Sequence, residues 1–324
     1  MSAARPIRIG TRASQLAMWQ ASRVADLLRA QPDAPPVELV QIHTEGDLRT
    51  EIPLWQVGGR AFFTREIDRA VLAREVDLAV HSLKDLPTTL DPGLALAAVL
   101  EREDPRDALL ARSAASLGEL PQGARVGTSS LRRRAFLARI RPDVTVLELR
   151  GNVPTRVERL AHGEFDAIIL AAAGLKRLGL ERHISACLPP EDFTPAVSQG
   201  AIAVVSRVDE QRALRSIACA DHFATRIATL AERALLKRVE GGCQVPLGAL
   251  ASLEGERLCL RTLVCSLDGT TAVTASGETS LPDTAGAAHQ SAAELGERLG
   301  EELLAKGALR IIEQQRAPIT VQLP

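Results

Sequence analysis

Twice along this chain, short apolar runs alternate with stretches of helical periodicity, and a charged, proline-bearing segment, Glu101 to Asp107 (EREDPRD), separates the two. The first stretch opens with the apolar run Ile7 to Gly10. A helical pattern follows from Ser14 to about Arg29, with Leu16, Val24, Leu27 and Leu28 at helical spacing and Ser14 placed as an N-cap. Val37 to His43 alternates like a strand. The polar, glycine-containing stretch Thr44 to Arg60 reads as a loop, and a helix is expected from about Phe63 to Glu75. Two strands follow, Asp77 to Ser82 and Ala95 to Leu100. The second stretch has strands at Arg125 to Thr128, Val144 to Leu149 and Asp166 to Ala172. Helices are expected at Ser129 to Arg141 and Pro154 to Ala161, and the unit ends near Pro189-Pro190. Such alternation predicts mostly parallel sheets. With Phe193 to Gly200 as a return crossing, it predicts an α/β fold of two lobes around a hinged cleft, a natural place for a ligand.

Beyond residue 218 the pattern changes. A helix near His222 to Val239 leads into Gly241-Gly242-Cys243-Gln244-Val245-Pro246. Three short strands (247–253, 257–266, 270–276) and a long helix from about Thr284 to Lys306 follow. This reads as a small α+β domain. The expected division is 1–100 with 200–218 for lobe 1, 101–199 for lobe 2, and 219–324 for the C-terminal domain. Hydrophobic residues make up 46% of the chain, enough for packed cores. A formal net charge of −1 gives no overall field to attract nucleic acid or an anionic membrane, so any anion site must be local. Six Phe, two Trp and no Tyr leave little for a base-stacking platform. No apolar stretch is long enough to span a bilayer, and the N-terminus lacks a signal-peptide core. The five cysteines are scattered, without a close C-x-x-C pair, which points to free thiols in a reducing cytoplasm and to no metal site.

Four clusters carry candidate chemistry. In Val126-Gly127-Thr128-Ser129-Ser130-Leu131-Arg132-Arg133-Arg134 a strand turns through hydroxyl residues into a helix. Free N–H groups there suit an anion, and arginines at the positive end of a helix are poorly placed without one. An ordinary N-cap before a solvated basic helix fits equally well. In Leu147-Glu148-Leu149-Arg150-Gly151-Asn152-Val153-Pro154-Thr155-Arg156 a second strand ends in Arg and opens a helix with Pro in its first turn. Parallel neighbours place such ends on one edge, so Arg132, Arg133, Arg150 and Arg156 are expected to converge. Guanidinium forks match carboxylates, with phosphate or separate surface arginines as alternatives. His81-Ser82-Leu83-Lys84-Asp85 ends a strand in the first lobe. Asp85 is either a local partner of Lys84 or a cleft carboxylate that steadies developing positive charge. Gly242-Cys243-Gln244 puts a thiol in a glycine turn, which favours its exposure.

Together these motifs resemble the porphobilinogen deaminase (hydroxymethylbilane synthase) family. Ile9-Gly10-Thr11-Arg12-Ala13-Ser14 with Leu16-Ala17 and Trp19-Gln20 is similar to the family's opening I-x-T-R-x-S-x-L-A-x-W-Q. His81 to Pro87 resembles its H-S-x-K-D-x-P, and Glu240 to Pro246 (EGGCQVP) its cofactor-attachment loop. Glu101–Ala108, Gly127–Arg133, Leu149–Thr155 and Ala167–Gly179 also match, so the resemblance runs from about residue 7 to 315. It implies lobes like those of periplasmic binding proteins and a dipyrromethane cofactor held by a thioether to Cys243. It implies an enzyme that deaminates porphobilinogen and joins it head to tail into hydroxymethylbilane. A cytoplasmic monomer is expected, since the thiols suit a reducing cytoplasm and nothing in the sequence argues against a monomer. Asp85 matches the catalytic acid. Lys84, Ser82, Thr128, Ser129, Arg132, Arg133, Arg150, Asn152 and Arg156 match cofactor-binding positions. Arg12, Ser14, Gln20, Phe63, Arg177 and Gln199 match substrate-binding positions.

Three departures stand out. Gly59-Arg60-Ala61-Phe62-Phe63 replaces a G-K-G-L-F-like run, Gln56 stands where lysine is common, and Ser198 replaces glycine in Pro195-Ala196-Val197-Ser198-Gln199-Gly200. At a hinge, a side chain restricts the φ/ψ freedom that glycine gives. Two other classes compete. A solute-binding protein needs the lobes and arginines but neither Asp85 nor an exposed Cys243. A nucleic-acid binder built on Arg132-Arg133-Arg134 is opposed by the net charge and the shortage of aromatics.

Overall fold

The computed structural model describes residues 5–32, 34–44, 64–239 and 245–316. Most of the expected loop from Thr44 to Arg60, together with Gln56, Phe63 and Cys243, lies outside the described residues. The first lobe opens with β1 (Ile7–Thr11), α1 (Gln15–Arg29), β2 (Val37–Gln41), α2 (Arg65–Leu72), β3 (Leu78–Ser82) and β4 (Leu94–Val99). The chain then crosses into β5 (Asp107–Ala111), β6 (Arg125–Gly127), α3 (Leu131–Ile140), β7 (Thr145–Leu147), α4 (Val153–Ala161), β8 (Ala167–Ala171), α5 (Ala172–Arg177) and β9 (Ala186–Cys187). It returns as β10 (Ile202–Arg207) and α6 (Gln211–Ile217).

The two five-stranded sheets have one design. Their orders are β2-β1-β3-β10-β4 and β7-β6-β8-β5-β9. In each, the first three strands are parallel, and the fourth position is an antiparallel strand delivered by a crossing from the other lobe. The sheets are thus mostly parallel, as the alternation predicts, with one reversed strand. That strand in lobe 1, β10, is buried along its whole length, as a strand covered on both faces must be. Its apolar part, Ile202 to Val205, is only four residues long, follows a glycine crossing and gives no period to read.

The crossings meet beneath the cleft. Glu103 N donates to Gly200 O at 3.1 Å, and Arg102 Nε donates to Gln199 O at 2.8 Å. Gly200 has φ +91°, and a Cβ there would lie 2.3 Å from Glu103 O, so only glycine fits. Ser198 sits two residues earlier at φ 61°. Its buried backbone N–H donates to Glu232 Oε2 at 2.6 Å, and its buried hydroxyl has no hydrogen-bond partner among the described residues.

The C-terminal domain packs α7 (Phe223–Arg238), α8 (Ala285–Ala305) and α9 (Ala308–Arg316) on an antiparallel sheet of β11 (Leu247–Glu254), β12 (Arg257–Cys265) and β13 (Ala272–Ser280). Leu235, Leu258, Val264, Leu295 and Leu299 belong to its core. β13 runs four residues past its expected end, because its outer half alternates half-buried and exposed polar residues at the sheet edge and offers no apolar period. Leu263 and Cys265 of β12 also enter the core of lobe 2 beside Phe136 and Phe193, so the small domain is packed against that lobe.

Candidate active site

The cleft is built where strands end and helices begin. On the lobe 1 side, Ser14 caps α1 by accepting from Ala17 N at 3.3 Å. α1 in turn buries Gln20, whose Nε2 donates to Ser82 Oγ at 2.9 Å. Ser82 ends β3, and Leu83 to Asp85 form one 3₁₀ turn whose start is held by Leu83 N donating to Ala201 O at 3.0 Å. Lys84 and Asp85, both half-buried, leave this turn.

On the lobe 2 side three helices begin near the same edge. Ser130, not Ser129, caps α3, with its Oγ accepting from Arg133 N at 3.4 Å. Ser129 Oγ donates to Leu149 O instead, and Thr128 Oγ1 accepts from Ser130 N at 3.2 Å. Asn152 caps α4, accepting from Thr155 N at 3.0 Å and from Thr155 Oγ1 at 2.8 Å. Arg156 Nε, one turn on, donates to Gly151 O at 2.7 Å. Arg177, at the end of α5, donates from Nη2 to Gly200 O at 2.6 Å and lies 5.7 Å from the ring centre of Trp19 in lobe 1. The resulting open cleft has a volume of about 100 Å³, with Ser82 and Lys84 on one wall and Arg133, Arg156 and Arg177 on the other.

Asp107 explains how adjacent arginines share one site. Fully buried at the start of β5, it accepts from Arg132 Nη1 at 2.7 Å, Arg133 Nε at 2.9 Å and Gln199 Nε2 at 3.0 Å. Gln199 also accepts from Lys84 Nζ at 3.4 Å, so it links the return crossing to both lobes. Burial pushes the Asp107 carboxyl up, but Arg132 and Arg133 outweigh it and hold the group well below the usual carboxylate range. A buried carboxylate is tolerable only with such partners.

The cations of the cleft are short of anions. Burial, opposed by Asp85 and reinforced by Arg133, lowers the Lys84 ammonium to about 8. Burial and the repulsion of Arg133 and Arg150 lower Arg156 to about 10, and burial lowers Arg177 to about 10. Burial also lowers Arg150, with Glu148 opposing. Among the described residues neither Arg156 nor Arg177 is paired with a carboxylate. Planar donors held in this state favour a ligand that brings several carboxylates.

Not every expected residue faces this space. Arg132 turns inward. Its guanidinium lies 5.7 and 5.9 Å from the ring centres of Phe136 and Phe193 and donates to Thr194 O at 2.8 Å. In this structure it is a core partner of Asp107, with no part in the cleft wall. Arg12 and Arg150 are half-buried. Residues that sequence reasoning passed over are Asp107, which ended a segment read as a charged break, and Glu232 and Arg233 on α7. The signal for Asp107 was an acid abutting the apolar run Ala108-Leu109-Leu110, a place where a carboxylate has no water.

The model of the family described as porphobilinogen deaminase, dipyromethane cofactor binding domain, matches residues 7–215, and that of the porphobilinogen deaminase C-terminal domain matches residues 226–305. The porphobilinogen deaminase of Syntrophomonas wolfei subsp. wolfei is 46% identical over 312 residues, covering 96% of this chain and 99% of the relative. That of Geobacter metallireducens is 46% identical over 312 residues, covering 96% and 95%. Among solved structures, the methionine-binding protein MetQ is similar at TM-score 0.43 and 13% identity over 66% of this chain and 89% of that one. A periplasmic substrate-binding protein from Coxiella burnetii is similar at TM-score 0.41 and 13% identity over 83% and 100%. These structural likenesses are weak, and the two lobes rest on their own sheet topology. The sequence relationship is strong and spans nearly the whole chain, which belongs to the porphobilinogen deaminase family.

Proposed function

We propose that this chain deaminates porphobilinogen and joins it head to tail into hydroxymethylbilane, with Asp85 as the catalytic carboxylate and Cys243 as the attachment point of the dipyrromethane cofactor. The observation that carries this reading is the convergence of Lys84, Arg133, Arg156 and Arg177 on one cleft beside the Asp85 turn. Their lowered proton affinities fit a polycarboxylate, because each pyrrole brings an acetate and a propionate. The cofactor, when bound, supplies the free pyrrole α-carbon to which substrate units are added. Every other part of the task falls to side chains of this protein. Arg133, Arg156, Arg177 and Lys84 hold carboxylates, with Ser82, Thr128, Ser129, Arg150 and Asn152 supporting the cofactor side; Arg132 acts from the core, by holding the Asp107 carboxylate that also fixes Arg133. Arg12, Ser14, Gln20, Phe63 and Gln199 serve the substrate side.

Ammonia leaves porphobilinogen with the electron pair of its C–N bond, and the positive charge that develops spreads to the pyrrole nitrogen. A carboxylate that accepts the pyrrole N–H steadies that charge without trapping the electrophilic carbon, provided it stays on the nitrogen side. Asp85, adjacent to Lys84 and half-buried, has the charge for this role. The proposal also takes 1–100 with 200–218, 101–199 and 219–324 as the three domains, and a cytoplasmic monomer as the working form, which sedimentation and cell fractionation measure directly.

Charge reversal at Arg156 tests the reading. Apo-protein carrying Arg156→Glu gains no covalent pyrrole mass when incubated with porphobilinogen, because a carboxylate then faces carboxylates. A variant that loads and turns over like the parent contradicts the assignment of this cleft.

A further inference from the structure

Arg233 belongs to α7 of the C-terminal domain, yet its guanidinium reaches the turn that carries Asp85. Nη2 donates to Pro87 O at 2.5 Å, and Nη1 donates to Leu86 O at 3.3 Å and, more weakly, to Leu83 O at 3.5 Å. The turn has little support of its own. Its internal closure is Leu86 N donating to Leu83 O at 3.2 Å. Carbonyls at the end of so short a helix lack intrahelical donors, and a planar guanidinium can serve several of them at once.

The neighbouring residue on α7 grips the crossings. Glu232, fully buried, accepts from Arg102 Nη1 at 2.6 Å, from Ser198 N at 2.6 Å and from Ala251 N at 2.8 Å. One helix therefore touches both chain crossings through Glu232 and touches the Asp85 turn through Arg233.

We infer that Arg233 is a positioning residue for the reaction: it ties the Asp85 turn to α7 of the C-terminal domain, and so fixes where the carboxylate sits beside the cleft. This rests on the role proposed for Asp85. The link is made to backbone carbonyls, so it fixes where the turn sits without altering the chemistry of Asp85. Arginine is needed because a lysine has a single nitrogen to offer carbonyls that the guanidinium meets with two.

The test is steady-state kinetics of holoenzyme for Arg233→Met and Arg233→Lys, each alone and combined with Asp85→Asn, with cofactor loading checked by intact mass. Arg233→Met loads cofactor and lowers kcat by about 10²-fold, the loss expected of an ångström-scale misplacement, while KM for porphobilinogen stays within about twofold. Arg233→Lys recovers part of the loss. In the Asp85→Asn background Arg233→Met costs little more, because the group it positions is already gone. A normal kcat for Arg233→Met, or a full independent loss in the double variant, overturns the inference. Should Arg233→Met fail to fold, Arg233→Lys carries the same comparison, and a parental kcat there overturns it. Failure of the underlying reading looks different: Asp85→Asn alone then turns over normally, whatever stands at 233.

Discussion

Asp85 and Lys84 are neighbours with opposite demands on the same turn. Asp85 must stay charged and close to a pyrrole nitrogen, whereas Lys84 is held where its charge is disfavoured. Asp85→Asn keeps the shape of the turn and removes the charge, so it lowers kcat by about 10²–10³-fold with the cofactor still attached; near-parental turnover in a steady-state assay removes Asp85 from the mechanism. For Lys84, burial takes the ammonium from its ordinary 10.5 to about 8. Between those values the unfolded chain binds more protons than the folded one, so stability of the cofactor-free protein rises with pH across that window, and the penalty is fully present below 8. Urea denaturation of apo-protein from pH 8 to 10.5 measures this slope, and Lys84→Met flattens it; equal slopes in parent and variant contradict the burial of that charge. At this scale the sequence told a good deal. Ser14 as a cap and arginines near strand ends that face one cleft, Arg133 and Arg156, were legible because local chemistry determines them. The inward turn of Arg132 was not, since adjacent arginines look alike until Asp107, distant in sequence, chooses between them.

Among the elements, the return crossing is the one under strain. Ser198 holds a left-handed backbone at φ 61° with a buried hydroxyl that lacks a partner among the described residues, which costs about 1–2 kcal/mol for the backbone alone. Ser198→Gly removes both the strain and the orphaned hydroxyl, against a smaller loss to the added freedom of glycine in the unfolded chain. A net gain of about 1 kcal/mol is expected as a raised urea midpoint; no gain means that the hydroxyl is satisfied. The sequence flagged this position as a serine in place of glycine but not its sign, because its backbone is held by a residue distant in sequence, the buried Glu232 that accepts from its N–H. Helices with caps and apolar faces were legible within a few residues, as α1 and α4 show. The two-residue β9 and the fully buried β10 were not, because neither length nor period marks them.

The whole molecule is two lobes of one design, joined by crossings that supply each sheet with its reversed strand, and a third unit packed against lobe 2 and gripping the crossings. The two-lobed plan could be read from the repeated alternation and the break at Glu101 to Asp107. The grip of Glu232 and Arg233 could not, because it joins residues more than a hundred positions apart through side chains that look like ordinary helix charges. A cleft lined by cations, with a carboxylate on the turn beside it, suits a protein that carries its own anionic primer. The most direct measurement is the intact mass of the purified, denatured protein, followed by peptide mapping. A mass excess of two linked pyrrole units on the peptide that contains Cys243 is the expected result. The bare chain mass, unchanged after incubation with porphobilinogen, would contradict the account.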